Sequence, residues 1–261
     1  MRHTAVVIDP VIAGTLVALA VLYLAGLVSM KLGSVTYARI RGRRSAFFAA
    51  IAVTAATLLS PLDAAGARLF SAHMAQHLLL IILAAPLFAL SDAPAVIGVL
   101  VPAAMRRWMR AEAAGTRMHG AEAAWAAAAA FVLTVWLWHL PAAHDWALAY
   151  EPAHAAEHLM VLASATVFWR VIVAGAYRRA HPAMVALIMS LVGLAGALLS
   201  ALIMFAPTQL CRAYAGNPME DQVLAGLLMC IPASFVYLAS TVWALWRMLE
   251  GDVGRRPNAG G

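Results

Sequence analysis

Histidines carry most of the chemical potential of this chain. His73-Met-Ala-Gln-His77 and His154-Ala-Ala-Glu-His158 share one spacing, and a helix bearing either pair projects both imidazoles from one face, a turn apart. Imidazole nitrogen suits zinc, copper, iron and nickel. His139 ends a further apolar run. A lone histidine at a helix end is more often an interfacial hydrogen-bonder, but two pairs and a fifth ring at one depth point to a metal or cofactor site. A purely structural polar cluster is the alternative. Gln76, Asp145 and Glu157 are the groups expected to accept the rings' remaining N–H, as neighbours of metal-bound histidine usually do. Met74 beside the first pair, Met160 beside the second, and Met229 with Cys230 on the last apolar run add soft donors, which tilt the choice towards copper. With 13 methionines in so apolar a chain, any single one is more often core filling. Zinc and haem remain open.

Other chemistries read less well. His154-x-x-Glu157-His158 has the order of an inverted zinc protease motif, with the glutamate as base. That motif belongs on a helix of a soluble domain, and here it opens an apolar run. No enzymatic activity is expected. Axial histidines such as His77 and His158 could hold a haem between facing helices. A di-iron oxidase would need more carboxylate or histidine ligands than these runs offer.

The elements that position these residues follow from composition. The chain of 261 residues is 64% hydrophobic and 11% charged, with a mean hydropathy of +0.83. Soluble domains carry about 25% charge. The reading is an all-α polytopic membrane helix bundle in one transmembrane domain, 1–261, with about seven transmembrane helices. Expected spans are 10–31, 46–62, 68–91, 121–140, 153–174, 182–206 and 222–247, each near the ~20 residues that cross a bilayer. The first is too long for a signal-peptide h-region and is expected to be retained. Ala93–Pro102, bracketed by prolines, is expected to be an interfacial segment. Gly193, Ala197 and Ala201 form a small-residue stripe that permits close helix approach, and Trp136, Trp138 and Trp146 suit an aromatic belt. Cys211 and Cys230 belong to no CxxC pair, so neither a disulfide framework nor a zinc ribbon is indicated.

Of the 18 lysines and arginines, all but Arg2, Arg68 and Arg212 fall in the alternate loops that these spans place on one side. The positive-inside rule then puts the N-terminus outside and the C-terminus in the cytoplasm. The net charge of +6 therefore reflects topology, and no nucleic-acid partner is expected. His119 and His181 fall on the cytoplasmic side. His3, His73, His77, His139, His144, His154 and His158 fall on the outer side, those in the spans at matching depths.

Several motifs are similar to one family. Ser60-Pro61-Leu62-Asp63 with Leu69-Phe70-Ser71-Ala72-His73-Met74-Ala75-Gln76-His77 resembles the CtaG-type cytochrome c oxidase assembly proteins of the caa-type oxidase branch. Trp138-His139-Leu140-Pro141 with Asp145, then His154, Glu157 and His158, then Asp221-Gln222, Gly226–Met229 and Pro232 look like its later blocks. The resemblance runs from the second span to the seventh. His144, Ala225 and Cys230 depart from the family pattern, which suggests that His144 and Cys230 are not general family ligands. The resemblance implies a cytochrome c oxidase assembly factor in the bacterial inner membrane. Oxidase subunits and other copper chaperones would be its partners, within the lipid bilayer. It also implies a role in supplying copper to a haem–copper oxidase, for which the outer-face set His73, His77, His139, His154 and His158 read from spacing and depth would be the site, with a metal-free assembly scaffold as the alternative.

Overall fold

Proline decides where many of the helices begin. A computed structural model describes residues 10–30, 40–102, 104–105, 120–172, 182–214 and 216–253, and these contain helices and no strand. Helix α1 is Pro10–Ser29 and α2 is Arg44–Leu58. The chain then breaks and restarts as α3, Pro61–Gly66, with Pro61 in the first turn and the Ser60 hydroxyl accepting the Leu62 N–H at 3.1 Å. Proline suits that position because its missing N–H would have had no intrahelical partner. Helix α4 is Phe70–Leu79, continued by a π turn at Leu80–Ala84 and by α5, Ala85–Leu90. The segment expected to be interfacial is helix α6, Ala93–Ile97, and a 3-10 turn, Gly98–Leu100. It packs on α1, where a side chain at Gly26 would strike the Val96 carbonyl. Then come α7, Gly120–Trp138; α8, Pro141–Ala149; α9, Glu151–Arg170; α10, Pro182–Met204; and α11, Met219–Val253, which contains Pro232.

Among the described residues, five stretches are long and apolar enough to cross a membrane: Pro10–Ser29, Phe70–Leu90, Ala121–Trp138, Pro182–Met204 and Met219–Glu250. Two of the seven expected spans differ from that description. Helix α2 has 15 residues, or about 22 Å at 1.5 Å per residue, against a hydrocarbon core of about 30 Å. It stops at Leu58 because Ser60-Pro61 starts the next helix. Helix α9 has 20 residues but carries Glu151, Glu157 and Arg170, the middle one buried. The ends of the expected spans 10–31 and 182–206 move to Ser29 and Met204, the expected end of 153–174 lies outside the described residues, and the last helix extends in both directions to 219 and 253.

Outward faces are apolar, as lipid requires. Val28 is 86% exposed, Leu133 68% and Phe235 70%, on a scale that water-facing surfaces do not tolerate in contiguous patches. Helices α10 and α11 form the most extensive pair. A Cβ on Gly193 would lie 3.2 Å from Tyr237, and one on Gly226 would lie 2.9 Å from both Met204 and the Ser200 carbonyl. Small residues on both helices thus bring the backbones together. Trp138 stacks on Trp146 with centroids 6.1 Å apart.

The two ends of the bundle differ in chemistry. At one end, Asp92 meets Arg43 at 2.7 Å and Arg170 at 3.9 Å, joining the start of α2, the exit of α5 and the end of α9. At the other end the starts of α4 and α9, the end of α7 and helix α8 converge, and all carry histidine. His3, His119 and His181, and most of the expected cytoplasmic arginines (Arg39, Arg106, Arg107, Arg110, Arg117, Arg178, Arg179, Arg255 and Arg256), lie outside the described residues, as do Lys31 and Arg2.

Candidate metal centre

Helix α4 presents His73 and His77 inward from one face, with their Nε2 atoms 3.1 Å apart. Helix α9 presents His154 and His158 from the facing side, with ring centroids 4.5 Å apart. The pairs meet at two levels: His73 lies 5.2 Å from His154, and His77 lies 5.2 Å from His158, between centroids. His139, at the end of α7, lies 5.3 Å from His77. The five histidines singled out in the sequence therefore form one cluster. His73 and His77 are essentially inaccessible, His158 and His139 are buried, and His154 is half-buried.

Glu157 sits among them, fully buried. Its carboxylate oxygens lie 3.5 Å from His73 Nε2, 3.5 Å from His77 Nε2 and 3.4 Å from His144 Nδ1. Sequence reasoning discounted His144, yet its ring is 1% exposed and 4.7 Å from that of His73. The signal available was Pro141, which restarts a helix directly after His139 and turns His144 back over the cluster.

The donors fit a cation. His73, His77 and His158 each offer a nitrogen, and His73, His154 and Glu157 each offer one donor atom, all within 4.8 Å of one another in each set. Two nitrogens about 2.0–2.1 Å from one ion at a tetrahedral angle stand about 3.3 Å apart, close to the 3.1 Å between His73 and His77. Many of these polar atoms have no hydrogen-bond partner, including both Glu157 oxygens, His154 Nε2, His158 Nε2 and both nitrogens of His144. Such orphans are rare in protein interiors, and here they converge on one place. The rings are in mutual contact, and among the described residues no slot for a porphyrin opens between His77 and His158.

The auxiliary residues take different positions. Met74 is fully buried, and its sulfur lies 3.2 Å from His139 Nε2, while His139 Nδ1 donates to the Val135 carbonyl at 2.6 Å. Gln76 turns the other way and donates to the Thr57 carbonyl at 3.2 Å and to Asp63 at 3.1 Å. It ties α4 to α2 and α3 rather than contacting the rings. Asp145 accepts the Ala213 N–H at 3.1 Å on the rim. Met229 and His77 both line a narrow apolar cavity of about 50 Å³ between α4, α7, α10 and α11. Met160 is exposed. Cys230 lies beside Ser234, and buried Cys211 sits in the loop before α11. Burial, then the charges of Asp145 and Glu157, push the Cys211 thiol up to about 12, so it is no ready thiolate donor.

Support comes from a polar layer that the sequence showed only as motif. Asp221 of α11 accepts the Phe70 N–H at 2.8 Å, the Ser71 N–H at 3.2 Å and the Ser71 hydroxyl. A carboxylate at a helix start satisfies otherwise unpaired donors and complements the helix dipole. Tyr214 donates to the Gly66 carbonyl at 2.7 Å, and Gln222 donates to the Ile203 carbonyl at 3.1 Å. Below His77, Pro86 lacks the N–H that would bond back to Ile82, and the helix widens into its π turn. Trp169 of α9 donates to the Ile81 carbonyl there at 2.9 Å.

Fold and site together define a multi-pass helical protein of membrane type, with a buried imidazole–carboxylate cluster able to hold a cation at one end. Residues 21–251 match the model of the cytochrome c oxidase caa3 assembly factor family, and the chain belongs to that family. Neither a curated protein nor a solved structure gives a significant match.

Proposed function

We propose that this assembly factor carries copper in its histidine–carboxylate cluster and supplies it to a haem–copper oxidase. The observation that carries the reading is the convergence of donor nitrogens from His73, His77, His154 and His158 around buried Glu157, whose two carboxylate oxygens have no hydrogen-bond partner. Polar groups inside a membrane are costly and mark pathways or sites. Imidazole donors with a nearby thioether favour copper among the common ions, and an oxidase assembly family has a recipient for it. The chain crosses the bacterial inner membrane seven times, with the N-terminus outside, so the cluster faces the side on which oxidase copper domains are exposed. Oxidase subunits, and copper chaperones upstream, are the partners, and the role is non-catalytic.

The test combines metal analysis with oxidase maturation. Alanine at His73 and His77 together, or at His154 and His158 together, should abolish bound copper, whereas changes at His119 and His181 should leave it. In cells lacking the protein, oxidase polypeptides should be made but be short of copper and activity, with partial recovery in excess copper by mass action. The double variants should reproduce that loss at normal abundance of the assembly factor. Full oxidase copper without this protein would instead support a metal-free scaffold.

A further inference from the structure

We propose that His139 and Met74 form a second, softer cation site beside the cluster, selective for monovalent copper. The case rests on which atoms can hold a proton. The Val135 carbonyl only accepts, so the 2.6 Å contact fixes the proton on His139 Nδ1 and leaves Nε2 with its lone pair. That lone pair faces the Met74 sulfur at 3.2 Å, and a thioether is itself only an acceptor. Two electron-pair donors thus face each other in a buried position with no proton between them. A cation would turn this unfavourable contact into a favourable one. With metal–nitrogen and metal–sulfur distances of about 2.0 and 2.3 Å, a tetrahedral ion sets its donors about 3.5 Å apart. The pair would have to open by only a few tenths of an ångström.

Chemistry and charge both select the ion. Thioether sulfur favours cuprous copper over harder divalent ions. Both donors are neutral, and desolvating an ion costs roughly as the square of its charge, so the pair suits a monovalent ion. The neighbouring cluster contains the Glu157 carboxylate and can balance a divalent one. The His77 and His139 rings are 5.3 Å apart, so the two sites are adjacent but use different donors. The inference takes copper's identity from the proposed function, but the existence of a separate soft site is tested independently.

The experiment uses the full chain in detergent, loaded without oxygen with cuprous copper against a competing cuprous chelator, and separately with zinc as the divalent probe. X-ray absorption at the copper edge should show a sulfur neighbour in the native protein. Met74→Leu, a swap that conserves volume and fold, should remove that neighbour. It should also weaken cuprous binding about 10–100-fold, the scale on which groups supporting a bound metal are felt, and leave zinc binding unchanged. His139→Ala should weaken cuprous binding similarly. A nitrogen-only shell in the native protein, a sulfur neighbour that survives Met74→Leu, or an equal loss of zinc affinity in that variant would overturn the soft site while leaving copper in the cluster intact. An imidazolium N–H donating to the sulfur would give the nitrogen-only result. Failure to bind copper in either oxidation state would overturn both readings.

Discussion

Glu157 is the residue on which the chemistry of the cluster turns. A carboxylate without hydrogen bonds, enclosed by imidazoles at 3.4–3.5 Å, is costly to bury unless a positive charge shares the space. A bound cation supplies that charge, so Glu157→Gln, which keeps shape and removes charge, should weaken retention of divalent copper or zinc about 10–100-fold. Titration of the purified variant against a metal chelator measures this directly. Undiminished zinc affinity would mean that the carboxylate does not balance the ion, the pattern expected of a catalytic base. At this scale much of the site was legible. The two i, i+4 pairs and His139 were readable because helical spacing fixes which rings share a face. His144 was not, because its place depends on how tightly the chain turns at Pro141. The direction of Gln76 was equally hidden: the Thr57 carbonyl and Asp63 that draw it away come from other elements.

Among elements, α4 is the one whose placement matters most, and it is held from both ends by groups distant in sequence. Asp221 caps its start across a separation of about 150 residues, and Trp169 takes the carbonyl released by the π turn. Asp221→Ala leaves the Phe70 and Ser71 donors unsatisfied in a buried position. By the scale for lost helix caps and for hydrogen bonds to charged groups, this should cost about 1–3 kcal/mol. Thermal unfolding in detergent should show a lower midpoint, and copper retention should fall with it because His73 lies within the first turn of the frayed helix. A lower midpoint with copper fully retained would mean that the cap serves stability alone. Apolar length was enough to read five of the helices. It overran at α2, where Ser60-Pro61 cuts the helix before the hydrophobicity ends. The π turn was not readable, because Pro86 alone does not specify whether a helix kinks, breaks or widens.

For the whole molecule, the polarity of the two ends links fold to function. Arg43, Asp92 and Arg170 gather at the end opposite the histidines, which agrees with a loop-charge pattern that assigns both arginines to one side. That agreement concerns relative placement, and the absolute direction rests on the positive-inside rule. It can be tested with single cysteines in a background lacking Cys211 and Cys230. Ala142, at the histidine end, and Ser45, at the arginine end, are both exposed, so replacing either should disturb packing little. In intact cells whose outer barrier has been made permeable, a membrane-impermeant maleimide should label Ala142→Cys and spare Ser45→Cys. Disrupting the inner membrane should expose the second. A reporter active only in the cytoplasm should accordingly work when fused after Gly261 and fail at the N-terminus. The reverse labelling would put the cluster on the cytoplasmic face. Copper delivery to an oxidase domain on the outer side would then require transport across the bilayer, which a buried cluster at one end of a helix bundle does not provide.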